Sequence, residues 1–156
     1  MNNCNIKQTQ QNSCAIIPPF DEHGNLPKGI HIATWQEFIS RFSHNPDREY
    51  LLEYLKKAAR ELAKAGCTKI YVDGSYVTDS KVPGDYDMCW KADNVNPDIL
   101  DPVFLEVYAP REAMKEKYRG DIFPEPFGDY SLLDYFQEDR ESRKKGIIEL
   151  DPRLSP

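Results

Sequence analysis

The strongest constraint on the fold of this chain is a long helix pattern that leads directly into a strand pattern. Between Pro46 and Gly66 the apolar residues recur at helical spacing, as Leu51, Leu52, Leu55, Ala58, Ala59 and Leu62. That spacing places them on one face of an amphipathic helix. The β-branched and aromatic run 68–73 follows at once and is typical of a strand. A helix of this length joined to a buried strand predicts a mixed helix and sheet domain.

Other segments carry weaker signals for the same kind of domain. Residues 34–37 have the spacing of a capping box, which predicts a short helix after Thr34. Three further strands are predicted, at 85–90, from about Arg119 to Phe123, and at 146–150. Two further helices are predicted, at 110–117 and 131–145. The expected fold class is α/β (α+β), with a small mixed β-sheet flanked by helices.

Length and composition predict one domain. The chain has 156 residues, of which 40% are hydrophobic, so one ordinary core can form. Residues 1–15 are rich in Asn, Gln and Ser and predict a disordered tail. We expect a single domain over residues 16–150 and a short C-terminal tail over 151–156.

The charge and hydropathy exclude several functions. The net charge of −6 argues against general nucleic-acid binding, which depends on basic residues, so any RNA contact must be local. The sequence contains no signal peptide and no apolar run near the length of a membrane span, which predicts a cytoplasmic protein without a membrane partner. The cysteines form no C-x-x-C pair, which gives a zinc site little support.

The chemistry of the chain is concentrated in two acidic residues of one predicted strand. Asp85 and Asp87 are two residues apart, so their side chains lie on the same face of a strand. Two carboxylates roughly 5 Å apart repel by about 3 kcal/mol at an effective dielectric constant of 20. A cation between them removes that repulsion, and Mg²⁺ prefers such oxygen ligands. Gly74 and Ser75 form a turn ten residues earlier, where backbone N–H groups and a hydroxyl can hold phosphate oxygens.

This combination resembles the signature of the DNA polymerase beta-like nucleotidyltransferase superfamily, a Gly-Ser turn followed by an Asp-x-Asp pair. The wider sequence is similar to an uncharacterised family of minimal nucleotidyltransferase-like proteins of bacteria and phages, over about residues 16–150. The matching segments are 20–27, 33–35, 72–79, 83–87 and 118–124.

The resemblance implies a Mg²⁺-dependent nucleotidyltransferase. Such an enzyme moves a nucleoside monophosphate from a nucleoside triphosphate onto a hydroxyl of a protein, an RNA end or a small molecule. Asp85, Asp87 and Asp121 would be its catalytic metal ligands, with Asp121 also helping to activate the acceptor hydroxyl. Gly74 and Ser75 would hold the β- and γ-phosphates. The resemblance further implies a toxin–antitoxin or phage-defence setting with a protein partner chain.

Several alternatives stay open at this point. The same fold without catalysis would be a binding module, such as an antitoxin or a regulatory subunit, and the short chain favours that reading. Asp121 follows a glycine and is equally typical of a turn. Asp73 and Asp79 lie near the expected cleft, but solvation of a loop explains them equally well. The basic residues of segment 140–145 are typical of a solvated helical face, although they could also contact phosphate or RNA.

Overall fold

The computed structural model describes residues 17–156 and shows a mixed five-stranded sheet with four α-helices. The strands are β1 (Gly29–Ile32), β2 (Ile70–Asp73), β3 (Tyr86–Lys91), β4 (Gly120–Glu125) and β5 (Gly146–Leu150). The helices are α1 (Trp35–Phe42), α2 (Pro46–Lys64), α3 (Glu112–Tyr118) and α4 (Leu133–Phe136). The predicted fold class is therefore confirmed. The predicted tail 1–15 lies outside the described residues.

The sheet has the strand order β1-β5-β2-β3-β4. Strand β2 lies in the middle and runs antiparallel to both β3 and β5. The two outer pairs, β1 with β5 and β3 with β4, are parallel. Strand β4 therefore forms one edge of the sheet, beside β3.

The two faces of the sheet are covered unequally. Helices α1, α2 and α3 pack on one face and form the main core, to which β2 contributes Ile70 and Val72. The opposite face carries a much smaller cluster, Tyr71, Cys89, Phe136 and Ile147, beneath the single turn of α4. Because successive strand residues point to opposite faces, alternate residues of β2 and β3 lie on the thinly covered face.

The predicted helix starts are confirmed by their caps. The Thr34 hydroxyl accepts a hydrogen bond from the Glu37 backbone N–H at 3.0 Å, and the Glu37 carboxylate accepts one from the Thr34 N–H at 2.9 Å. This reciprocal pair is the capping box expected from the sequence. The side chain of Asn45 caps α2, which begins at Pro46.

The prediction of a helix over 131–145 is wrong, because only Leu133–Phe136 is helical. The Asp139 carboxylate accepts the backbone N–H groups of Glu141 and Arg143, both at 2.9 Å. Such side-chain bonds compete with the helical hydrogen bonds. Ser142 also has a left-handed backbone, with φ of 61°, so the segment turns back instead of continuing as a helix.

The C-terminal residues pack on the domain. Pro152–Leu154 forms a 3₁₀ turn with Pro152 buried, and the Trp35 indole N–H donates to the Asp151 carbonyl at 2.8 Å. The predicted C-terminal tail thus includes residues that contact the core. Across residues 17–156, none of the helices combines the length and the apolar character needed to cross a lipid bilayer.

A fully buried arginine ties the loop after β2 to the start of α2. Arg48 donates five hydrogen bonds, all to backbone carbonyls, namely those of Phe42, Tyr76, Thr78 and Ser80. The Tyr76 hydroxyl donates back to the Arg48 carbonyl at 3.1 Å. The guanidinium group therefore fixes the path of the chain directly after Gly74 and Ser75.

We expect Arg48→Leu to lower the free energy of unfolding by at least about 3 kcal/mol, because it leaves buried carbonyls without a donor. The control is Arg60→Leu in the same helix, since Arg60 is exposed and donates to the backbone oxygen of Pro156. Urea unfolding followed by circular dichroism measures both. Equal losses in the two variants would contradict the role assigned to Arg48.

Candidate metal centre

Strand register brings the acidic residues together. Asp73 is the directly paired residue of Asp87 across β2 and β3, and Asp87 is the paired residue of Asp121 across β3 and β4. Directly paired residues share a face of the sheet. Asp85 precedes Asp87 by two residues and joins the same group. Four carboxylates therefore lie side by side on the thinly covered face.

Three of these carboxylates form a compact group. Asp85, Asp87 and Asp121 each offer one oxygen, and these oxygens all lie within 4.8 Å of one another. All three side chains are partly buried. The sequence-predicted acidic residues are thus brought together by the fold, with Asp85 and Asp87 on the same side as expected.

Gly74 lies directly against the acidic group. Its backbone has φ of +85°, and a Cβ atom there would stand 3.0 Å from a carboxylate oxygen of Asp87. A side chain at this position would be strained by the backbone and would crowd the carboxylate. Gly74 and Ser75 therefore lie next to the Asp85 and Asp87 side chains, as the sequence predicted.

A cavity of about 640 Å³ opens over these residues. Its lining contains Asp73, Gly74, Ser75, Asp85 and Asp87. The segment 135–145 supplies further aromatic, acidic and basic side chains to the lining: Tyr135, Phe136, Glu138, Asp139, Arg140, Glu141, Arg143 and Lys145. The cavity thus combines acidic and basic side chains.

Asp73 and Lys145 form a buried ion pair at the base of the cavity. The Lys145 ammonium lies 2.6 Å from an Asp73 carboxylate oxygen, and only 4% of Asp73 is exposed. Of the two readings that the sequence left open for Asp73, the structure therefore supports the position at the cleft and not a solvated loop. Burial is the main reason that the pKa of Asp73 is raised, and Lys145 opposes that rise.

Asp121 is held by two cations. Its Oδ1 atom accepts a hydrogen bond from Arg111 Nε at 3.1 Å and lies 3.6 Å from the Lys115 ammonium. Arg111 also stacks over the Phe123 ring at 4.9 Å. Both cations contact the same carboxylate oxygen of Asp121.

The acidic group is electrostatically strained. The pKa of Asp87 is raised to about 7, chiefly by burial and then by the neighbouring carboxylates of Asp73, Asp85 and Asp121. Burial and then Asp121 also raise the pKa of Asp85, while Lys115 and Arg140 oppose that rise. Such an arrangement is typical of sites that hold a cation or move a proton.

The sequence analysis assigned no place in the acidic site to four residues that contact or join it: Asp73, Lys145, Arg111 and Lys115. Asp73 had a readable signal, because it ends a predicted strand and directly precedes Gly74. Lys145 belongs to a basic segment assigned to a helical face, and only its ion pair with Asp73 shows its position. Arg111 and Lys115 gave no signal, since their contacts with Asp121 come from the packing of α3 beside β4.

The comparison with known families gives one match. Residues 18–151 match the model described as a family of unknown function (DUF6932), and the chain belongs to that family. No curated protein and no solved structure matches the chain. The functional assignment therefore depends on the chemistry of the site.

Asp87→Asn should stabilise the metal-free protein above pH 7. In an aspartate whose pKa is raised from 3.8 to about 7, ionisation opposes folding. The contribution of Asp87 to the free energy of unfolding is therefore complete below pH 3.8, where the carboxyl group is protonated, and it is lost as the pH rises through 7. At 1.36 kcal/mol per pKa unit, the expected gain at pH 8 is up to about 4 kcal/mol.

Thermal unfolding in the presence of a metal chelator, at pH 5 and at pH 8, measures the difference in stability between Asp87→Asn and the unmodified protein. The advantage of Asp87→Asn over the unmodified protein should be larger at pH 8. Asp98→Asn is the control, because Asp98 is exposed and distant in sequence from the acidic group. An equal advantage at both pH values would show that Asp87 titrates as an ordinary aspartate.

Proposed function

We propose that this protein is a Mg²⁺-dependent nucleotidyltransferase that moves a nucleoside monophosphate from a triphosphate onto a hydroxyl group. The proposal rests chiefly on one observation, the oxygens of Asp85, Asp87 and Asp121 within 4.8 Å of one another. The adjacent turn at Gly74 and Ser75 and the cavity over it give further support.

The residues fit a hard divalent cation. Mg²⁺ binds oxygen ligands at 2.0–2.1 Å, so opposite ligands of one ion lie roughly 4.2 Å apart. The separations of up to 4.8 Å need only a small movement of the side chains, or two ions sharing the group. A cation would also relieve the repulsion that raises the pKa of Asp87.

The transfer reaction uses each part of the cavity. The acceptor oxygen forms a bond to the α-phosphorus while the bond from that phosphorus to the bridging oxygen breaks, and pyrophosphate leaves with the electron pair. Bound Mg²⁺ would neutralise the leaving pyrophosphate and lower the pKa of the attacking hydroxyl. Gly74 and Ser75 would contact the β- and γ-phosphates, and Arg140, which also lines the cavity, would add positive charge near them. The proton of the hydroxyl passes to the carboxylate of Asp121 or through it to water.

A nucleotide-binding module without transfer activity is the second candidate. It is favoured by one observation, the two cations that already occupy Oδ1 of Asp121. In this candidate, Asp85 and Asp87 would still bind the metal–triphosphate complex. Such a module could act as an antitoxin or regulatory subunit for a protein partner, the setting that the sequence resemblance implies.

Asp85→Asn and Asp87→Asn should each reduce nucleotide transfer at least about a hundredfold, because each removes charge that orients the metal and the triphosphate. The assay incubates the protein with Mg²⁺, each of four labelled triphosphates and a cell extract that supplies acceptors. Asp98→Asn is the matched control, since it makes the same change on an exposed surface.

Melting temperatures measured with a non-hydrolysable triphosphate separate the two candidates. A Mg²⁺-dependent rise that requires Asp85 and Asp87, together with labelled product, supports the transferase. The same rise without labelled product in any extract supports the binding module. Labelling that persists in both aspartate variants would contradict the proposed chemistry.

A further inference from the structure

Strand β1 forms an edge of the sheet whose outer side is open. Within residues 17–156, β1 pairs with β5 alone. The Ala33 N–H, directly after β1, donates to the Glu149 carbonyl of β5 at 3.1 Å. Because the backbone groups of successive strand residues point to alternate sides, those of Ile32 and Ile30 point away from the sheet. Such an edge can accept a further strand.

The same two isoleucines also expose apolar side chains. Ile30 is 40% exposed and Ile32 is 68% exposed, and Ile30 pairs with the buried Ile147 on the thinly covered face of the sheet. Ile32 lines a cavity of about 520 Å³ together with Leu154, which is 70% exposed. Single exposed apolar residues are ordinary on a protein surface. Here they adjoin the outward backbone groups of an edge strand, and this combination marks an interaction surface.

The opposite edge of the sheet is protected against a further strand. The Glu125 carbonyl faces β3, since it accepts a hydrogen bond from the Ala92 N–H at 3.0 Å, so Ile122 and Pro124 present their backbone on the outer side of β4. Pro124 has no N–H, and the Ile122 N–H donates to the Met114 sulfur of α3 at 3.2 Å. A proline and a covering helix are usual ways to block an edge. Strand β1 contains no proline.

A second copy of the same chain fits the open edge. Two β1 strands that run antiparallel about a two-fold axis at His31 would place Ile30 directly opposite Ile32 of the other copy, on both sides of the axis. Because the backbone groups of these residues point outward, each such pair would exchange both of its N–H to carbonyl hydrogen bonds. The side chains of each pair would meet on one face, where apolar β-branched pairs stabilise antiparallel strands.

The charges that flank β1 agree with this register. The axis that relates position 30 to position 32 also relates position 28 to position 34, so the exposed Lys28 would lie opposite Thr34 of the second copy. The Glu37 carboxylate accepts a hydrogen bond from the Thr34 N–H at 2.9 Å, which places a negative charge there. A copy of this chain therefore supplies both the apolar and the charged partner that the edge requires.

We propose that β1 is the interface of a homodimer, in which two copies join edge to edge into one ten-stranded sheet. A two-fold interface is closed, and the protected β4 edges limit the assembly to two copies. Three strand spacings in each copy and one between the copies would separate the two Asp87 residues, roughly 30 Å in all. The inference is independent of the chemistry proposed for the acidic group.

Sedimentation velocity of the full chain tests the inference between about 1 and about 200 μM, because an interface of this small class is weak. The unmodified protein should pass from monomer to dimer in this range. Ile30→Lys/Ile32→Lys places like charges directly opposite one another and should raise the dissociation constant at least about tenfold. Ile30→Glu/Ile32→Glu should weaken the dimer to a similar extent.

An equimolar mixture of these two variants tests the register itself. At low ionic strength the dimer should return, since every lysine then lies opposite a glutamate of the other copy. Its return also shows that both variants are folded. Val82→Lys is the control, because Val82 is a similar apolar residue, 65% exposed, in the loop before β3. We expect it to leave the dissociation constant unchanged.

Three results would overturn the inference. The first is an unmodified protein that remains monomeric up to about 200 μM, which would leave the edge to a different partner. The second is a dimer that Ile30→Lys/Ile32→Lys weakens no more than Val82→Lys does. The third is a mixture that stays monomeric while circular dichroism shows that both variants are folded. If a charged variant unfolds, Ile32→Thr replaces it, because threonine keeps the branched shape and should still weaken the dimer.

Discussion

The main physical constraint on this structure is the repulsion between carboxylates that are aligned across three neighbouring strands. Asp73, Asp87 and Asp121 occupy one level of β2, β3 and β4, and Asp85 adds a fourth charge beside them. Like charges at this spacing in a partly buried place oppose folding. The protein offsets them with Lys145 on one side and with Arg111 and Lys115 on the other. These cations come from two separate segments, so the acidic group influences how both are packed.

The unequal covering of the sheet makes such a group accessible. Three helices form the main core on one face, where apolar burial supplies most of the stability. The other face has only a small apolar cluster and one helical turn, and the acidic residues continue that face towards a cavity of about 640 Å³. Arg48 connects the two sides, because it holds the loop after Ser75 from within the helical layer. The main core thereby fixes the position of the loop that borders the acidic site.

Sequence reasoning succeeded where the signal is local. The capping box at Thr34, the proline start at Pro46 and the strand around Asp87 follow from short patterns, because caps and strand periodicity are properties of a few adjacent residues. It failed over 131–145, where charged residues of good helix propensity surround Asp139. There the aspartate bonds to nearby backbone N–H groups, and the pairing of Lys145 with Asp73 draws the chain back to the sheet. Contacts between distant residues overrode the local preference.

The sequence by itself determined the two capped helices α1 and α2, the strands β2 to β5, and the position of Asp85 and Asp87 on one strand face, and the resemblance added Asp121 as a third acidic residue. Tertiary structure alone decided that Asp73 is buried with Lys145 and that Arg111 and Lys115 hold Asp121. The physical reason is strand register. Side-chain direction within one strand follows from its period of two, whereas the residues that meet across strands depend on how the whole chain packs.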